Sequence, residues 1–248
     1  MPNAFIKGMK QSTQVRSVLQ MLERQMPEYL QKEFNHQATN LPPRYFRSLD
    51  TKGVKADLTL IDKLRSERII VATTEVGGRV TLRVLMKKDE PRIFLRVVAV
   101  LSKNKVGIDK ASIFTGSRDG MVLDHFVLQE PLNRRLLDTI IGEIKDALET
   151  GQFESPVLTP FDKRGAVITV NNPDDTHTTL SIAAHDQVGF LYRVAQVFST
   201  LELSLTYARI RTHEGQINDT FHLVRKDNTV LSENEHALLV EALEKAFA

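Results

Sequence analysis

A chain of 248 residues, 42% hydrophobic and 26% charged, can bury a real core and has room for one large domain or two ordinary ones. Its 33 Lys and Arg stand against 31 Asp and Glu, and a net charge of +2 provides no field of the kind that holds nucleic acid or an anionic membrane. With no cysteine there can be no disulfide, cysteine zinc site, iron–sulfur cluster or thiol nucleophile, and neither a metal nor a cofactor is expected.

From about residue 11 to 34, Val15, Val18, Leu19 and Leu22, then Met26, Leu30 and Phe34, recur at helical spacing. Pro27 should kink or break that helix, and Leu41-Pro42-Pro43 should end the pattern. Leu58, Ile61 and Leu64 predict a shorter helix. From Ile69 the period changes to that of strands: Ile69 to Thr73 and Val80 to Met86 flank Gly77-Gly78, a hairpin signal. No apolar run reaches the roughly 20 residues that span a bilayer, and Met-Pro-Asn-Ala-Phe-Ile-Lys lacks the apolar core of a signal peptide, so a cytoplasmic location is expected.

The chain repeats itself. A displacement of 97 positions aligns Asp89 with Asp186, Arg96 with Arg193, Val97 with Val194, Val100 with Val197 and Ser102 with Ser199. The match continues through Ala111 and Ala208, Ile113 and Ile210, and Thr115 and Thr212. It then loses two residues in a turn and resumes with Gly120 and Gly215, Asp124 and Asp219, and Phe126 and Phe221.

Each copy predicts a strand (Thr81 to Lys87; Thr178 to Ala184), a helix led by Ile93 or Phe190, and a hairpin (Gly107 to Gln129; Ser204 to Val224). A second helix follows. The later one opens at Ser232 with Glu235 three residues on, a capping box. The order β-α-β-β-α needs one more strand to complete a ferredoxin-like βαββαβ plan. Ile69 to Thr73 and Val167 to Val170 could each serve their own sheet or their neighbour's. The predicted fold is therefore α+β, two ferredoxin-like modules in tandem. Residues 1–65 form a helical connector, 66–150 the first module, 151–165 a linker with Pro156 and Pro160, and 166–248 the second module.

These features resemble the ACT family, βαββαβ modules that bind amino acids or other small effectors and regulate attached enzymes. Several motifs narrow the resemblance: Ile113-Phe114-Thr115, Arg118-Asp119-Gly120 and Asp124-x-Phe126 in the first copy, and His185-Asp186-Gln187-Val188-Gly189-Phe190-Leu191 and Ala208-Arg209-Ile210 in the second. With Leu41-Pro42-Pro43-Arg44-Tyr45-Phe46 ahead of them, they are similar to the C-terminal region of the bacterial PII uridylyltransferase/uridylyl-removing enzymes over about residues 41 to 248. The resemblance implies an amino-acid sensor, with glutamine as the effector. Its implied partners are a PII-type signal protein or the enzyme's catalytic domains. No catalytic residue comes with it, because that family's nucleotidyltransferase and phosphohydrolase domains lie upstream of the matching region. The chain then reads as a regulatory fragment, a truncated product or a stand-alone relative. The alternative is a tandem ACT protein acting through protein contacts, similar to a glycine cleavage repressor.

The loop Asp186-Gln187-Val188-Gly189, ahead of Phe190 and Leu191, joins a strand end to a helix start, where open N–H groups favour a carboxylate. Asp186 can accept from an ammonium and Gly189 allows close backbone approach. By the resemblance, Ser204 completes the pocket. An N-cap Asp with a packing Gly would look the same in sequence. The first copy offers Asp89, Arg92 and Gly107, with Arg92 standing where Gly189 stands; it is either a second site or a structural module. Gly116-Ser117 with Asp119 and Asp124 does not place two acids on one strand as a nucleotidyltransferase requires. His185-Asp186 lacks the further ligands of a phosphohydrolase metal site, and the other histidines are scattered. Exposed strand edges predict that the modules pair side by side or across a homodimer.

Overall fold

The computed structural model describes residues 13–76, 78–88, 92–129, 131–161 and 165–247. Gly77 of the hairpin and Asp89 of the first-copy loop lie outside them. The chain forms two compact units, one of residues 1–70, 85–89 and 114–123, the other of 71–84, 90–113 and 124–248.

Among the described residues, the first unit is built on four helices, α1 (Thr13–Gln25), α2 (Glu28–Asn40), α3 (Pro43–Ser48) and α4 (Thr51–Lys63). Pro27 separates α1 from α2, since it has no N–H to continue the ladder. Pro42 and Pro43 do more than end α2: Pro43 occupies the first turn of α3, where a missing N–H costs nothing. Asp50 caps α4 by accepting from the Gly53 N–H at 2.8 Å. Phe34, Tyr45 and Phe46 are buried with their rings edge to face, and the Tyr45 hydroxyl donates to the buried Asp57 at 2.9 Å. Asn40 holds the turn at 116–121. Its Oδ1 accepts from the Arg118 N–H at 3.0 Å, its amide donates to Asp119 at 3.0 Å, and its carbonyl accepts from the Ser117 N–H at 2.9 Å. A Cβ on Gly116 would sit 2.7 Å from that amide, so the glycine of this motif is needed for packing.

The eight strands are β1 (Ile69–Val76), β2 (Arg79–Met86), β3 (Ile108–Thr115), β4 (Val122–Leu128), β5 (Val167–Asn171), β6 (Thr178–His185), β7 (Ser204–His213) and β8 (Gln216–Val224). They form one sheet in the order β1-β2-β4-β3-β7-β8-β6-β5. The remaining helices are α5 (Ile93–Lys103), α6 (Arg134–Thr150), α7 (Phe190–Thr200) and α8 (Glu233–Ala246). The fold is α+β. Each extended run joins its own half, β1 beside β2 and β5 beside β6, and so fills from upstream the place that a final strand of the βαββαβ plan would take. The halves meet side by side at the centre through antiparallel β3 and β7, with Lys110 opposite Arg211 and Ala111 opposite Ile210.

Strands β6 and β8 alternate. Leu180, Ile182 and Ala184, and Ile217, Phe221 and Leu223, are buried, with more exposed residues between them. Helix α7 turns Phe190, Val194, Val197 and Phe198 inward, each contributing about 1.5–3 kcal/mol of apolar burial. The Ser232 N–H donates to Glu235 Oε2 at 2.8 Å, and Arg225 and Ser232 hold the Glu235 carboxyl down to about 2. Residues 151–161 form neither helix nor strand but are strapped to α7. Arg193 donates to the Thr159 carbonyl at 2.6 Å, and Phe161 stacks near Phe190 and Phe247 at 5.6 and 4.8 Å.

Candidate functional site

In the second unit, the end of β6, the following loop and the first turn of α7 face the start of β3 across the central seam. The register dictates this. His185 pairs with Gln216 and Thr212 with Ile217, so the loop from Asp186 lies at the sheet end where β7 finishes and its antiparallel neighbour β3 begins. Asp186, Gln187, Val188, Gly189, Phe190 and Leu191 line one cleft with Gly107, Ile108, Gln129 and Asp219. Gly107, expected to belong to a separate first-copy site, is thus beside the second-copy loop. Ser204 is not in this cleft. It pairs with Val224 at the opposite end of β7, because a strand ten residues long carries its first residue far from its last.

Arg92 is also not among the lining residues. It stands at the N-cap of α5 with φ 70°, the left-handed conformation that Gly189 adopts at the N-cap of α7 with φ 89°. That geometry costs an L-residue about 1–2 kcal/mol and a glycine almost nothing. The two turns therefore share a backbone shape while only one carries the residue suited to it.

Gln129 and Asp186 stand at the rim of the cleft, and Ile108, Ile210, Ile217 and Phe190 line it together with the buried Asp219. Among the described residues no side chain caps α7, whose positive end faces the loop. The Gln129 amide donates to Asp186 Oδ2 at 2.7 Å and lies across Gly107, where a Cβ would come within 2.0 Å of Gln129 Oε1. Asp219 is fully buried. Its Oδ1 accepts from the Arg211 N–H at 3.0 Å, and its Oδ2 has no hydrogen-bond partner among the described residues. Burial pushes the Asp219 carboxyl up to about 7, against the Arg211 hydrogen bond and with a further push from the charge on Asp186. The enclosed space is about 30 Å³, room for a water or two but not for an amino acid.

Gly189 lines the cleft and also packs on the linker: a Cβ there would lie 2.3 Å from Leu158 Cδ2. A larger cleft of about 350 Å³ lies in the first unit, between Lys32, His36, Arg65 and Lys87 over Ile61 and Leu64. Its charges are engaged locally, Arg65 with Glu33 at 2.8 Å and Lys87 with the Arg65 carbonyl at 2.9 Å.

No family model matches the chain. It is 26% identical over 213 residues to the bifunctional uridylyltransferase/uridylyl-removing enzyme of Pasteurella multocida, covering 82% of this chain and 24% of that enzyme. It is 27% identical over 195 residues to the enzyme of the same name from Pseudoalteromonas translucida, covering 74% and 22%. The chain is similar to these enzymes over the matched stretch. It spans less than a quarter of their length. Among solved structures, the aspartate kinase of Synechocystis overlaps 68% of this chain and 26% of its own, at 14% identity and a TM-score of 0.41.

Sequence reasoning missed Gln129 and Asp219 as parts of the cleft, and Leu158 as the residue packed on Gly189. Asp219 left a signal: on an alternating strand, a carboxylate between Ile217 and Phe221 sits where an apolar residue belongs. Gln129 and Leu158 left none, since their places depend on the seam and on the path of the linker.

Proposed function

We propose that the chain is a regulatory module that binds a small α-amino acid, glutamine foremost, in the cleft between the loop 186–189 and the start of β3. In this reading it acts on the catalytic domains of a uridylyltransferase/uridylyl-removing enzyme, and through them on a PII-type signal protein. One observation carries the reading: an uncapped helix end and two carboxylates, Asp186 and Asp219, border the same cleft. A zwitterion needs that pairing, with N–H groups for its carboxylate and acceptors for its ammonium. The similarity to the uridylyltransferases supports the regulatory context. Ligand entry requires the Gln129 side chain, exposed at the rim, to turn away from Asp186.

Calorimetric titration of the chain with glutamine at pH 7.5 tests the reading. Saturable heat at micromolar to millimolar ligand is expected, with Gln129→Ala tightening binding several-fold by removing the internal competitor. Saturation by a different amino acid reassigns the effector; no heat from any amino acid overturns the reading.

A further inference from the structure

We propose that Asp219, rather than Asp186, is the acceptor for the ammonium of the bound amino acid, and that it is reached once the Gln129 carboxamide leaves Gly107. This inference rests on the effector reading above and assigns a residue within it.

Asp186 accepts from the Gln129 amide at 2.7 Å and is half-exposed at the rim, so water can satisfy it once that amide leaves. Asp219 lines the same cleft with one carboxylate oxygen unmatched and no solvent exposure. An unmatched buried acceptor costs free energy, and an ammonium delivered into the cleft would meet that need. Arg211 on β7 meets Asp219 through its backbone N–H, and the other residues around it are apolar or neutral: Ile182 opposite it on β6, and Ile108, Ile210, Thr212 and Phe190 around the cleft. Asp186 is the charged group that bears on it, and it repels a second negative charge.

These surroundings give the binding a pH signature. With its carboxyl pushed up to about 7, Asp219 is mostly protonated at pH 6 in the empty cleft. A bound cation favours the ionised form, so binding at pH 6 expels close to one proton. Affinity then falls about tenfold for each pH unit below 7 and is level above it.

The test uses the full chain and two probes, glutamine and glutaramate, which differ by the α-amino group. Titrations at pH 6 in two buffers of different ionisation heat count the protons released by the unaltered protein, so the result does not depend on a variant folding. Glutamine should release close to one proton and glutaramate none. Asp219→Asn should weaken glutamine at least tenfold at pH 8 while leaving glutaramate within twofold. Glutamine binding without proton release, or equal losses for both probes, overturns this inference and leaves the effector reading standing. Proton release by potassium chloride alone assigns the site to an inorganic cation and overturns it as well. If neither glutamine nor any other α-amino acid binds, the effector reading fails and the inference with it.

Discussion

Asp219 imposes a cost on the empty protein that can be measured without any ligand. Its folded-state carboxyl titrates near 7, above the ordinary value of 3.8, so between these values the folded chain holds a proton that the unfolded chain has lost. Stability from this group is therefore greatest at low pH and declines as pH rises toward 7, by roughly 1.4 kcal/mol per unit at most. Asp219→Asn should raise the denaturation midpoint at pH 8 and change it little at pH 4; chemical denaturation at the two pH values checks this. Residues that act through neighbours in the chain were legible in the sequence: the run from Asp186 to Leu191 is a loop and a helix start, and it lines the cleft as one piece. Gly107 and Ser204 were not, because their places follow from which strand end meets which across the β3–β7 seam, and that register is not written locally.

At the scale of elements, hydrophobic period identified the helices and hairpins, since a 3.6 or 2.0 spacing is a local property. Single residue types gave the break at Pro27 and the capping box at Ser232, and neither kind of signal is long-range. Neither could give the edge positions of β1 and β5, which depend on pairing between segments distant in sequence. Nor could either give the strap, because residues 151–161 have no period and are held by single contacts such as Leu158 on Gly189. Gly189→Ala should cost about 1–2 kcal/mol for the left-handed backbone, plus a share for displacing Leu158. In a Leu158→Ala background that second share disappears, so a double-mutant cycle by thermal denaturation should show coupling between the two sites. Independent costs would mean that Leu158 yields freely.

For the whole molecule, the first unit is assembled from three separated stretches of chain, so no cut in the sequence isolates it. The turn at 116–121 shows why. Asn40 reaches it across nearly eighty positions, and Tyr45 packs on Phe114 with ring centres 5.3 Å apart. The Pro-containing stretch after residue 150 reads in sequence as a spacer, and residues 151–161 form neither helix nor strand. Their attachment to α7 was hidden because a linker's path is set by what it crosses.

That path turns the linker into a gauge. Val157 is wholly exposed, while its neighbour Leu158 is seated on Gly189, in the loop that lines the cleft. A nick between them is easy only when the seat is loose. Limited digestion with thermolysin, which cuts before leucine, should be slowed by an amino acid that orders the loop and hastened by Gly189→Ala; equal rates in all three states would show that the seat and the cleft are uncoupled. On the proposed function, the surface bond before Leu158 would be cut at a rate set by whether the pocket beneath is occupied.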